Sequence, residues 1–156
     1  MLQVHLGFAQ SNDFITTKPV NKEFAMDFHV RDMEGGDIKL SDLNGKVVVL
    51  NFWFIKCAPC VMEMPDLNEV VSKYDPEEVV FVGITFDKRE LVQQFLDSKD
   101  FDYVIAPDAY DTISRYGVQS FPTNMVIDQK GQIILKEIGY RTNMKEVLTS
   151  AINQLL

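Results

Sequence analysis

Val47 to Phe52 reads Val-Val-Val-Leu-Asn-Phe, and five residues after it comes Cys57-Ala58-Pro59-Cys60. An almost unbroken apolar, β-branched run of this kind suits a central strand covered on both faces. Pro59 suits the first turn of a helix, where its missing N–H is an orphan donor in any case. The chain is thus held to a buried strand that gives way to a cysteine-bearing helix start, which is an α/β arrangement. Two residues between cysteines, at the first turn of a helix, let the sulfurs meet without moving the backbone. The helix N-terminus then offers a positive dipole end and free N–H groups to a thiolate, so a sulfur there is a better nucleophile at neutral pH than a free cysteine.

These are the only two cysteines among 156 residues. Hydrophobic residues make up 46% of the chain, enough for a proper core without a covalent staple, so the pair reads as working chemistry. The length suits one domain. The net charge of −8 argues against a nucleic-acid partner. No stretch of 18 apolar residues is present to span a membrane. Residues 1–23 read as a tail or irregular lead-in, and 24–156 as the domain. Gly7 and Ala9 are small residues two apart, as at an export-signal cleavage site, but no Lys or Arg precedes them. The stub of an export signal and a flexible tail both fit this segment.

Phe24, Met26, Phe28 and Val30 alternate as in a strand, Glu34 to Asp37 is a turn, and Ile38 to Leu40 returns as a short strand. Ser41 to Lys46 reads as a loop or a single helical turn. The helix after the cysteines carries Val61, Met64, Leu67, Val70, Val71 and Tyr74 at helical spacing, with Pro65 expected to kink it. Val79 to Phe86 is a second buried strand. Asp87 and Glu90 form a capping-box pattern ahead of a helix bearing Leu91, Val92, Phe95 and Leu96. Tyr103 to Ile105 is a short strand, and Asp111 to Tyr116 a short helix ended by Gly117. Thr123 to Ile127 and Ile133 to Ile138 are strands joined by a turn at Asp128 to Gly131, and a terminal amphipathic helix follows.

The outer sulfur, Cys57, is placed to attack a substrate disulfide, and Cys60 to resolve the mixed disulfide. Half of a zinc site is a poor alternative, because a structural zinc needs about four ligands and neither His5 nor His29 has a partner at ligand spacing. No metal site is expected. Lys56, next to Cys57, favours a thiolate if it lies close, or is simply a solvated loop lysine. Trp53 packs under the site or fills core, the second being the usual lot of a strand-end tryptophan. Glu63 lies one turn beyond Cys60 on the same helical face. From spacing alone it reads first as an acid complementing the helix dipole, and second as a proton relay to the inner thiol. Pro122 begins a strand, where proline is unremarkable.

Together, Gly45 to Trp53, Cys57 to Cys60, Glu63-Met64-Pro65, Tyr116-Gly117-Val118, Pro122-Thr123, Ile127-Asp128 and Gly131 resemble the thioredoxin superfamily. Within it the chain looks most like the TlpA/ResA group of exported thiol-disulfide oxidoreductases, over nearly the whole length from Phe24 to Leu155. The resemblance implies a thioredoxin-like fold: a central mixed sheet flanked by helices, an N-terminal β-hairpin, and an inserted helix-strand unit between Asp87 and Ile105. It implies a cis bond before Pro122, a proton-relay role for Glu63, and a substrate-contacting surface made of Pro122, Phe121, Lys56 and Trp53. It implies disulfide exchange with protein substrates and no bound cofactor. It implies a periplasmic or cell-envelope setting, a membrane electron donor, a monomer, and a longer precursor that carries an anchor. Cytochrome c maturation is one use it suggests. Ordinary thioredoxins carry a buried aspartate where Asn51 stands. The group often has Trp where this chain has Lys56, and a cation there makes the pair more oxidising.

Two other functions fit the motifs less well. A thiol peroxidase of the peroxiredoxin type carries Pro-x-x-x-Thr/Ser-x-x-Cys, but Trp53 stands four before Cys57 and Phe54 three before it, so that motif is missing. A copper carrier or redox-inert binding module wants a wider cysteine spacing and a nearby histidine, and His29 is distant in sequence.

Overall fold

The computed structural model describes residues 23–156, so the N-terminal segment with its export-signal reading lies outside the described residues. The apolar run becomes strand β3 (Val47–Trp53), with all seven residues buried. It is the middle of a five-stranded sheet of order β5-β4-β3-β6-β7, where β4 is Val79–Thr85, β5 Val104–Ala106, β6 Thr123–Ile127 and β7 Ile133–Ile138. β3 pairs in parallel with β4, and β4 with β5, whereas β6 and β7 run antiparallel. The sheet is mixed because helical crossovers serve the first three strands and a tight turn serves the last two. At that turn Asp128 accepts the N–H groups of Lys130 and Gln132, and Gly131 takes a φ of +85° that favours glycine.

Helices cover both faces, which is why β3 has no polar side. Helix α1 (Ala58–Val71) and the terminal helix α4 (Met144–Asn153) pack Leu67, Val70, Leu148 and Ile152 over Val47 and Val49. Helix α2 (Arg89–Leu96) adds Val92 and Phe95 to the same layer. On the other face, Ile113 of α3 (Tyr110–Arg115) meets Val48, Leu50 and Phe52. The inserted α2–β5 unit and the N-terminal hairpin of β1 (His29–Arg31) and β2 (Asp37–Lys39) are both present, the hairpin as a separate two-stranded sheet.

Several expectations shift at their edges. The alternating stretch from Phe24 forms a ladder only at His29–Arg31, while Phe24 makes one isolated bridge to Gln132. Phe28 and Val30 are buried, but Phe24 and Met26 stay exposed, so the alternation is realised only in its second half. Leu40 opens a 3-10 turn, Leu40–Leu43, instead of ending β2. α1 stops at Val71, and Tyr74 packs on Phe81 from beyond the helix end. Asp87 is not a helix cap: the N-cap of α2 is Lys88, with no side-chain bond to the helix.

Candidate active site

β3 delivers the chain to one end of the sheet, and a three-residue loop, Phe54 to Lys56, turns it into α1. Cys57 is the N-cap of that helix in extended conformation, and its Sγ accepts the Cys60 N–H at 3.3 Å. Pro59 sits in the first turn, where no N–H is needed. The two cysteines form a disulfide, with Cα atoms 5.3 Å apart. Both are nearly buried.

One turn further along α1 is Glu63, wholly buried. Its Oε2 accepts from Asn124 Nδ2 at 3.1 Å and from Asn51 Nδ2 at 3.4 Å, and Asn51 Nδ2 also donates to Asn124 Oδ1 at 2.9 Å. The two asparagines are cross-strand partners of β3 and β6, so the sheet register itself builds this amide pair under the helix. Burial raises the Glu63 carboxyl from its ordinary 4.5 to about 7, against the pull of the two amide donors. Oε1 meets no hydrogen-bond partner among the described protein groups. With Oε2 committed to two N–H donors, Oε1 is the oxygen free to carry a proton.

The loop before the cysteines is braced from the inserted unit. Asp87 Oδ2 accepts the Ile55 N–H at 2.7 Å and the Thr85 hydroxyl at 2.9 Å. This tertiary use outcompetes the capping role that local sequence offered. Three rings lock neighbouring loops together: Phe54 lies 5.3 Å from both Phe86 and Phe121, and Phe86 lies 5.9 Å from Phe121. Phe121 precedes Pro122, and the bond between them is cis, as the resemblance implies. Pro122 is buried and Lys56 exposed. Trp53 has no exposed surface and packs on Phe95 and Phe101 at 5.4 and 5.5 Å. It therefore has nothing to present to a substrate, and its place in the expected contact surface is corrected to that of a buried support.

The model of the AhpC/TSA family matches residues 22–136. The chain belongs to that family. It is 36% identical over 155 residues to the thiol-disulfide oxidoreductase ResA of Bacillus cereus, covering 96% of this chain and 88% of that protein. A Chlorobium tepidum crystal structure, described as a putative thiol:disulfide interchange protein DsbE, superposes with a TM-score of 0.78 at 32% identity. The match spans 86% of this chain and 96% of the other. The thioredoxin domain of a Bacteroides vulgatus oxidoreductase shares the fold, with a TM-score of 0.74 at 22% identity over 86% and 99% of the two chains. The thioredoxin-like fold and the ResA-like resemblance read from the sequence both stand.

Sequence reasoning paired Cys57, Cys60 and Glu63, and the structure brings them onto one turn-and-a-half of α1. It missed Asn124 and Asp87. The signal for Asn124 was an amide inside an otherwise apolar strand, and its partner lies 73 residues away.

Proposed function

We propose that this thiol-disulfide oxidoreductase works as a reductase of protein disulfides, with Cys57 attacking, Cys60 resolving and Glu63 carrying the proton of the inner thiol. One observation carries the reading. A Cys57–Cys60 pair at a helix start lies one turn from a fully buried carboxyl that titrates near neutrality. The thiolate of reduced Cys57 attacks a substrate sulfur, and the substrate S–S bond breaks to release its other sulfur as a thiolate. Cys60 then passes its proton to Glu63 Oε1, and its sulfur attacks Cys57. This releases the second substrate thiolate and leaves the Cys57–Cys60 disulfide. Two electrons have moved to the substrate, and an external dithiol restores the pair by the reverse sequence. The cysteines themselves carry the electrons, so the reaction needs no bound cofactor. Glu63 accepts the proton only when ionised, so the resolving step speeds up as pH rises through about 7.

Pro122 and Phe121 line the substrate side beside Cys57, and Lys56 supplies the exposed cation there. On the resemblance to the TlpA/ResA group, the protein works as a monomer in a cell-envelope or periplasmic setting. A membrane donor feeds it, and apocytochrome c is one substrate. Among the described residues no helix is long and apolar enough to cross a membrane.

The test is reduction of a protein disulfide together with the potential of the pair, read by trapping after equilibration in thiol buffers. A potential near −270 mV, that of thioredoxin, fits a reductase, and one near −120 mV makes the protein an oxidant. Cys57→Ser is expected to lose turnover entirely, and wild-type rates in that variant would remove the mechanism.

A further inference from the structure

Among the described residues, three buried side-chain polar atoms meet no hydrogen-bond partner: Glu63 Oε1, the Trp53 indole Nε1 and the Tyr103 hydroxyl. Such groups are rare, because burial strips their hydration and an unpaired group recovers nothing for it. Three of them in one layer of the core point to a shared cause.

All three belong to the layer between the sheet and α1. Asn51, which donates to Glu63, is the register partner of Gly83 in β4, and Gly83 is that of Ile105 in β5. Trp53 stands two residues beyond Asn51 and Tyr103 two before Ile105, and both pack in the same core layer as Cys60 and Met64 of α1. Gly83 marks the place where they approach. A Cβ there would stand 3.2 Å from Trp53 Nε1, 3.1 Å from a Phe101 ring carbon and 2.8 Å from Ile105 Cδ1. Only glycine therefore lets the indole N–H come down to the sheet beside Asn51. Phe101 stacks on Tyr103 at 4.7 Å and brings the phenol ring alongside. The Glu63 charge is felt at that phenol: burial first, and the carboxylate second, push the hydroxyl above its ordinary 10. Tyr103 thus keeps its proton and acts as a hydrogen-bonding group, able both to donate and to accept. The other groups against Glu63 are Asn51 from β3, Asn124 from β6 and, in α1 itself, the bonded Cys60 and the Asp66 carboxylate. Lys145 of α4 is paired with Glu69.

We propose that Tyr103, with the Trp53 indole N–H, is a positioning residue for Glu63: the two supply the hydrogen bonds that Oε1 takes up when the carboxyl ionises. One internal water, which commonly makes about three hydrogen bonds, suffices to join the three atoms. With Glu63 ionised, the phenol O–H and the indole N–H both direct protons towards the carboxylate. When Cys60 gives its proton to Oε1, the new O–H becomes the donor and the Tyr103 oxygen turns to accept, while the indole goes on donating. Tyr103 begins and ends protonated, and the proton Glu63 gains is the one Cys60 loses. The inference rests on the proton-carrying role given to Glu63 above and names what tunes it.

The experiment titrates the Glu63 carboxyl by NMR in the oxidised full chain, where neither cysteine ionises. Tyr103→Phe removes the hydroxyl and keeps the ring on Phe81 and Phe101. A donor lost from a carboxylate favours its protonated form, so the midpoint is expected to rise by about one pH unit, a tenfold change in the equilibrium. The pH profile of the resolving step, read in single turnovers, is expected to move upward by the same amount with its alkaline plateau unchanged. A hydroxyl with a packing role alone would change stability and leave both midpoints in place. Trp53 is the only tryptophan, so its indole N–H gives one resonance. That resonance is expected to follow the Glu63 midpoint in the wild type and to stay flat through this range in Glu63→Gln. An unmoved or lowered midpoint in Tyr103→Phe overturns the inference, as does an indole resonance that ignores Glu63. A rate profile that stays put while the carboxyl midpoint rises also overturns it. The titrations use no substrate, so their failure leaves the reductase reading standing. A wild-type protein that reduces no disulfide removes that reading, and a raised midpoint still upholds the hydrogen bonds to Oε1.

Discussion

Beneath the cysteines the site is a closed polar pocket. Glu63 is shielded from solvent, two amides hold one of its oxygens, and the Trp53 indole, packed on Phe95 and Phe101, has no exposed surface. Around the cysteines the surface is the reverse: Lys56 stands in solvent, and Phe86 and Leu91 present apolar edges to it. A charge below is amplified by low dielectric, whereas a charge above is screened by water. On the proposed reading, proton chemistry belongs to the floor and contact with a partner to the rim. Substitutions below should move pH profiles and stability, and substitutions above should move substrate preference and little else.

The largest break comes from the floor. Trp53→Ala removes a wholly buried ring and should destabilise by about 3–5 kcal/mol, read by chemical denaturation. Glu63→Gln sharpens the comparison by pH. Folded Glu63 binds its proton up to about 7, but the unfolded chain releases it near 4.5. In that window the folded state holds more protons, so the carboxyl lowers wild-type stability as pH rises from 4.5 to 7. The variant lacks this loss and should exceed wild type by about 3 kcal/mol above pH 7, with little difference below 4.5. It should also lose the rise in resolving rate near neutrality. Equal stabilities at pH 8 would mean that Glu63 ionises without penalty. Asn124→Ala removes one N–H donor from the carboxylate and should raise the Glu63 titration further, at a cost of about 1–2 kcal/mol, read by carboxyl NMR. The smallest effect belongs to the rim. Lys56→Trp should make the potential more negative by no more than about 20 mV, because water screens the exposed charge. A larger shift in potential would break the division between floor and rim.

The same division decides what could be read from the sequence. β3, the cysteine helix and the β6–β7 hairpin announce themselves through local periodicity and turn chemistry, so their placement needed no distant information. The partnership of Glu63 with Asn51 and Asn124 depends on antiparallel register between strands far apart in the chain, and no local pattern encodes it. Asp87 shows the opposite problem. Its spacing to Glu90 satisfied a local rule, and a better-placed N–H at Ile55, 32 residues earlier, took the carboxylate instead. The resemblance put Trp53 on the substrate surface, whereas its place at a strand end read as core. Adjacency in sequence says nothing about which face of a strand end is covered, and α2 with Phe101 covers this one.

The Asp87 brace bears on transplantation. The segment from Phe54 to Cys60 looks portable, being short, contiguous and chemically self-sufficient. Yet its entry is held by a carboxylate that arrives from the end of another strand, itself steadied by the Thr85 hydroxyl. Moved to a foreign scaffold without those two residues, the loop would carry the right sulfurs on an unanchored hinge. The smallest unit of this site that can be inherited whole is therefore a pair of neighbouring strand ends.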